Sequence, residues 1–491
     1  MLFVSDFRSK QTVKEVIELR FCDRGSVKKK ENNSMSDQKT QSKETLTSTK
    51  DLKRVLGFWD LMAVSVGSII GSGIMSLTGY GIGRTGRSIF IAFFIGAFIV
   101  VLARSPQIFL NSVARFRGGD YTMVGTFLGP RWSGTYSMIA LLTSVTLGMY
   151  ALSFADYVMP FVPWIGRRVI AFLILTVLFI TNFFGVNVFS KVQNIAVIVL
   201  VISLTIFTVV GLTKVEPGYF KAETFMPFGL KGLWSASVLM SYTCDGCQYV
   251  TQLGAEAKRP TRDIPVVMLV STLGVALLYG LMGIVAAGVL PLDQVVDKPL
   301  GVVAEAILSK PLYLVFVIGG AWMALLTTLN SSIATCTRPL MQACNDGWYP
   351  NSLARLHPKF RTPIILMLFY YVIGLVPIVF DLNLGVVGDM TIAVGSITKF
   401  MVVLSLVRMP KVLPEAWKKS RFHISTPALM LLALVDGLVI VISGVTSAIN
   451  MPIPLLVGNL AVVVFAFGFG AIRYRTGKVK LDDSYEIVVD E

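Results

Sequence analysis

The sequence predicts an all-α polytopic membrane protein with twelve transmembrane helices. Three observations carry this expectation. The chain of 491 residues is 54% hydrophobic and only 15% charged, with a mean hydropathy of +0.70, where a soluble chain would be about 25% charged. From residue 51 onward it divides into apolar stretches of the length that a bilayer requires. Two of these stretches, the first and the sixth, are interrupted in the middle by glycine and polar residues.

Residues 1–50 are polar and charged, with Lys28-Lys29-Lys30-Glu31 and then a Ser/Thr/Lys-rich run after Met35, and read as a disordered cytoplasmic tail. Within it, residues 1–34 read as lying upstream of a natural start at Met35. Lys30-Glu31 can be encoded as AAGGAG, a purine-rich run able to pair with ribosomal RNA, and three codons separate it from Met35. A run of roughly 7–15 apolar residues is missing from the N-terminus, so no cleavable signal peptide is expected.

The apolar spans follow at about 59–80, 88–112, 132–157, 167–185, 190–213, 232–253, 264–290, 311–337, 363–381, 384–408, 425–447 and 452–472. With the N-terminus inside, the short inner loops carry sixteen lysines and arginines and the outer loops nine. Positive charge collects on the cytoplasmic side, so both termini are expected there, in a multi-pass protein of the cell membrane. The net charge of +15 fits orientation against anionic lipid and not nucleic-acid binding.

The first span contains Gly67-Ser68-Ile69-Ile70-Gly71-Ser72-Gly73-Ile74-Met75. Each glycine costs a helix about 0.8–1 kcal/mol against alanine. In lipid, broken backbone is tolerated only where it is packed in protein or lines a cavity. An interrupted helix exposes N–H groups at the start of its second half and C=O groups at the end of its first. The first attract a carboxylate and the second an ammonium, so the break is a candidate zwitterion site.

The sixth span repeats the anomaly with Ser241-Tyr242-Thr243-Cys244-Asp245-Gly246-Cys247. Breaks in the first and sixth spans suggest an internal repeat of five spans. An odd number of spans inverts the second copy and sets the two breaks side by side at the midplane. Asp245 is an intramembrane carboxylate and therefore a functional candidate. On this reading residues 51–410 form an inverted-repeat transport core of ten helices, 411–475 add two C-terminal helices, and 476–491 form a second cytoplasmic tail.

Other chemistries find little support. The five cysteines give no disulfide framework, and the Cys244/Cys247 pair lies within an apolar span. The two histidines, His357 and His423, both fall in inner loops, and no cluster has metal-ligand spacing. No cofactor, metal or enzymatic activity is expected.

Several motifs in order resemble the amino acid–polyamine–organocation superfamily, and within it the L-type amino acid transporters. They are Gly67 to Met75, Gly118-Gly119-Asp120-Tyr121, Gly185 through Gln193, and Cys244-Asp245-Gly246-Cys247 with Glu256 to Pro265. Asn330 to Arg338, Asp346-Gly347-Trp348-Tyr349-Pro350 and His357 to Pro363 complete the set. The resemblance covers about residues 52–475 and implies a five-plus-five inverted repeat with alternating access. It also implies an amino acid site in which the N–H groups of Gly71, Ser72 and Gly73 meet the carboxylate. Carbonyls near Val66–Ile70 and Ser241–Cys244 would meet the ammonium, and Tyr242 falls at the place of an aromatic lid. Cys244 and Cys247 stand where close relatives carry bulky aromatics, and both are expected to line the substrate path.

Other departures bear on energetics. Leu200 stands where proton-coupled and many exchanging relatives have a lysine. Phe109 replaces a glutamate, and Arg104 is an odd charge in the same span, to be paired with Asp156 or another carboxylate or else to snorkel. Lys399 is a second costly intramembrane charge, with Asp389, Asp436 and Asp156 as candidate partners. The function expected is a secondary transporter of an amino acid or derived amine, working as an exchanger. The alternative is a non-transporting amino-acid sensor on the same fold.

Overall fold

The computed structural model describes residues 52–71, 73–380, 384–449, 451–481 and 485–487. The N-terminal tail, the start expected at Met35 and Ser72 lie outside the described residues. Eight stretches among those described are helical, long and apolar enough to cross a membrane, and Ile364–Phe380 is a shorter apolar helix.

The first apolar span is α1 (Phe58–Ile69), then a π-helical turn at Gly73–Leu77 and α2 (Thr78–Thr85). The second is α3 (Ile89–Asn111). A short strand β1 (Arg115–Phe116) leads into α4 (Asp120–Leu128), α5 (Pro130–Thr143) and α6 (Thr146–Val158). Next come α7 (Arg167–Phe183), α8 (Val186–Leu212) and α9 (Gly229–Cys244), which passes after Gly246 into a 3₁₀ turn at Cys247–Leu253. The second half contains α10 (Pro260–Gly288), α11 (Met323–Asn345), α12 (Ile364–Phe380), α13 (Leu384–Val412), α14 (Thr426–Ile449) and α15 (Ile453–Arg475). Strand β2 (Tyr485–Glu486) closes the described chain.

Two apolar clusters organise the bundle. One gathers α1, α2, α3, α8, α9 and α10; the other gathers α4 to α7 and α11 to α14. Large apolar side chains also stand exposed on the outside, among them Ile195, Phe380, Leu431 and Val464. Such a surface is an aggregation liability in water and is the ordinary exterior of a protein in lipid.

One end of the bundle is tied by backbone and ion pairs. Residues beside α1 form a parallel bridge, in which Val55 and Leu56 N–H donate to Glu256 C=O at 3.0 Å and Lys258 N–H donates to Leu56 C=O at 2.9 Å. Arg338 of α11 grips the Glu256 carboxylate (2.8 Å). Strand β2 pairs antiparallel with β1, with Arg115 opposite Glu486 and Phe116 opposite Tyr485. The Glu486 carboxylate there meets Arg117, Arg115 (2.9 Å) and Arg54 (3.1 Å).

Partial burial would raise the Glu486 carboxyl, but Arg117, Arg115 and Arg54 outweigh it and hold the group below its ordinary value. A carboxylate with a depressed folded value stabilises the clasp above its unfolded value and loses that contribution as pH falls through the folded one. Hydrogen exchange of the Tyr485–Glu486 amides should therefore stay slow from pH 7 down to about 5 and quicken only below the ordinary glutamate range near 4.3. The Arg54 pair is partly exposed and contributes about 1 kcal/mol, while Arg115 and Arg117 are buried. Glu486→Gln should then speed exchange at pH 7 at least about fivefold and make little difference in acid. Equal exchange in both proteins at pH 7 would show that the ion pairs do not hold the strand.

Candidate functional site

Both helix breaks lie against each other. α1 ends at Ile69, and Ile70 turns to extended backbone while its N–H still donates to Val66 C=O. α9 ends at Cys244. Asp245 is extended and Gly246 has φ +154°, a conformation that side chains disfavour. A Cβ on Gly246 would stand 2.5 Å from Ser68 O and 2.7 Å from Ile69 N, and one on Gly73 would stand 2.7 Å from Thr243 Cα. Each break therefore uses a glycine where it crosses the other. At Gly73 the lack of a side chain admits the sixth-span backbone.

Carbonyls freed at the end of α1 are partly taken by the protein. The Thr328 hydroxyl is shared between Gly67 O (3.0 Å) and Ile70 O (3.1 Å), and Tyr279 donates to Ile69 O (3.0 Å). Each carbonyl has a second lone pair, so these bonds hold the break open without using it up.

A cavity of about 260 Å³ opens at the crossing. The first break contributes Ser68, Ile69, Gly71 and Gly73; the second contributes Ser241, Tyr242, Thr243 and Asp245. Arg104 and Asp120, the phenols of Tyr136, Tyr150, Tyr249 and Tyr370, and Lys399 close the wall. Of the expected site residues, Gly71, Gly73, Ser241, Tyr242 and Asp245 share this cavity. Ile70 does not line it; its side chain is fully buried in the adjoining apolar cluster.

Cys244 and Cys247 depart from expectation. Both are buried away from the cavity in the same apolar cluster, and the Cys244 thiol faces Phe93 O of α3 at 3.9 Å. Cys244 is two residues past Tyr242, about 200° round the helix, which turns it toward α3, and its small size serves close packing there. Among the described residues the cysteine on the cavity wall is Cys336 of α11.

The charges of the site come together around Asp245. Arg104 donates from Nε to Oδ1 (2.9 Å) and from Nη2 to Oδ2 (2.7 Å), and Lys399 Nζ donates to Oδ2 (2.8 Å). The partners first considered are otherwise engaged: Asp156 binds Arg167 (2.5 Å), and Asp436 accepts from Ser105 Oγ (2.5 Å). The Asp389 side chain is outside the described residues. From Arg104 the network continues through Gln107 (3.4 Å) to Asp120 (2.6 Å), which also accepts from Thr251 (3.2 Å) and Tyr136 (3.4 Å).

Removing one member of a buried ion pair strands the rest and costs about 3–5 kcal/mol. Asp245→Asn should sharply lower the thermal stability of the protein in detergent micelles. Adding Lys399→Met should restore part of it, with a coupling of about 0.5–3 kcal/mol; strict additivity would show that the pair does not act as a unit. A small polar thiol reagent entering from water should label Cys336 before Cys244 or Cys247, and Cys336→Ser should remove that fast labelling. Fast modification at Cys244 would contradict the orientation described.

The profile of the amino acid permease family matches residues 56–472. The chain is 26% identical over 349 residues to the branched-chain amino acid permease BcaP of Bacillus subtilis, covering 65% of this chain and 73% of that protein. It is 25% identical over 396 residues to the vacuolar cationic amino acid transporter 4 of Arabidopsis thaliana, covering 74% and 64% respectively. It is 23% identical over 345 residues to the methylthioribose transporter of Bacillus subtilis, covering 65% and 74%. These are permeases and transporters, not enzymes. With a family match that runs from the approach to the first broken helix through nearly all of the last, the chain belongs to the amino acid permease family of the amino acid–polyamine–organocation superfamily, as a multi-pass membrane transporter.

Proposed function

We propose that this permease moves an α-amino acid or derived amine across the cell membrane by alternating access, as an exchanger. The observation that carries the reading is the pair of interlocked helix breaks on one polar cavity. The substrate carboxylate is held by the N–H groups of Gly71, Ser72 and Gly73, at the positive end of the second half-helix. The ammonium is held by carbonyls ending the first halves, from Ser68 to Ile70 and from Ser241 to Cys244. Tyr242 closes over the bound molecule.

In this reading each of the twelve apolar spans crosses the membrane once. Residues 51–410 form the five-plus-five core, 411–475 are accessory helices, and both tails face the cytoplasm. The clasp of Glu486, Arg54, Arg115 and Arg117 then lies on the cytoplasmic end and holds that end shut. A second cavity, of about 560 Å³, is lined by Tyr80, Asp156, Tyr157, Arg167, Glu305 and Tyr313 and serves as the outer vestibule. Leu200 counts against proton coupling through α8, because it is fully buried in apolar packing with no titratable group in its place.

Purified protein in liposomes preloaded with an unlabelled amino acid mixture should accumulate labelled substrate by counterflow. A proton gradient alone should drive little uptake. Counterflow absent for every amino acid and amine tried would reject transport in favour of sensing. Strong proton-driven accumulation would reject exchange as the main mode.

A further inference from the structure

By their names, the related proteins carry branched-chain amino acids, cationic amino acids and methylthioribose, so likeness does not select the substrate's side group. The charges on the cavity wall do. Asp245 supplies one negative charge and holds two cations, Arg104 by two bonds and Lys399 by one. The three groups together carry one unit of positive charge at the crossing of the breaks. Asp120, the next carboxylate on the wall, is joined to Arg104 only by way of Gln107, and its oxygens are already engaged by Gln107, Thr251 and Tyr136.

The two cations differ in what they have left to offer. Arg104 is 7% exposed and spends its fork on Asp245 and Gln107. Lys399 is 21% exposed, lines the cavity, and among the described residues bonds to one acceptor, Asp245 Oδ2. An ammonium has three N–H donors, so two are left for the cavity. A cationic side group placed there meets like charge in a poorly screened space. An aliphatic one finds apolar surface there but leaves the spare donors of Lys399 unmet. An anionic one meets an ammonium with donors to spare.

We propose that Lys399 is a second recognition point, and that the substrate is an amino acid with an anionic side group, a carboxylate or a sulfonate. This rests on the transport reading above, in which the α-carboxylate and ammonium occupy the helix breaks. One charge-assisted bond separates an acid from its uncharged isostere by at least about tenfold in affinity.

The test is counterflow into liposomes holding the full chain, with labelled L-glutamate, L-aspartate, L-cysteate, L-glutamine, L-leucine and L-lysine tried separately. An acidic amino acid should exchange with at least about tenfold higher affinity than its amide. Lys399→Met should lower that acid-to-amide ratio by about the same factor, and Lys399→Arg should keep it. If Lys399→Met does not fold, the wild-type panel still decides. Better exchange of glutamine, leucine or lysine than of any acid overturns this inference and leaves the transport reading standing. An unchanged ratio in folded Lys399→Met overturns the role of Lys399. No exchange of any compound overturns the transport reading, and this inference with it.

Discussion

Asp245 and its two cations constrain the whole interior. Three charged groups removed from water carry a desolvation penalty of several kcal/mol each unless geometry and hydrogen bonds offset it. Here two parallel bonds from Arg104 and one from Lys399 do so. The three side chains come from α3, from the break after α9 and from α13, so the ion triad pins three distant parts of the chain at one point. Asp245 also accepts the N–H of Gly246 (3.1 Å), which joins the charge network to the glycine that crosses the first break. The broken backbone and the buried charges therefore stabilise one another. The break frees the space in which Asp245 can meet both cations, and the cations keep the break from closing into continuous helix.

The backbone follows the same economy. Polar groups released by breaking a helix in lipid must find partners within the protein. Thr328, Tyr279 and Tyr157, from three other helices, donate to Gly67, Ile69, Ile70 and Met75 carbonyls. Away from the break a polar chain runs Asn182 to Asn330 (2.7 Å) and Asn330 to Gln193 (3.0 Å). It links α7, α11 and α8 beside α1, so the second apolar cluster is fastened to the first by hydrogen bonds as well as by packing.

Hydropathy made the helices legible, because apolar length is a local property. The positions of the breaks were legible for the same reason: three glycines in seven residues and a polar run around Asp245 stand out within their own spans. The identity of Asp245's partners was not. Arg104 and Lys399 are 141 and 154 residues away, and no periodicity links them to it. The cysteines were misplaced for a different reason. Once the helix unwinds after Cys244, spacing no longer sets direction, and a residue in the right stretch can still face the wrong way. The strand at Tyr485–Glu486 was invisible because two residues carry no pattern, and its partners Arg115 and Arg117 read in the sequence only as inner-loop charge.

The molecule's ion pairs differ in exposure, and with it in what separating them would cost. Glu486 is 34% exposed and its partner Arg54 53%. An ion pair in that setting contributes about 0–1 kcal/mol, but the other two partners of Glu486, Arg115 and Arg117, are as buried as Arg104. Separating Asp245 from Arg104 would leave buried charges unpaired at about 3–5 kcal/mol, too much for a step repeated in every turnover unless another charge takes the vacated place. The two spare donors of Lys399 differ from these bonds, because an anion could meet them without parting Asp245 from either cation.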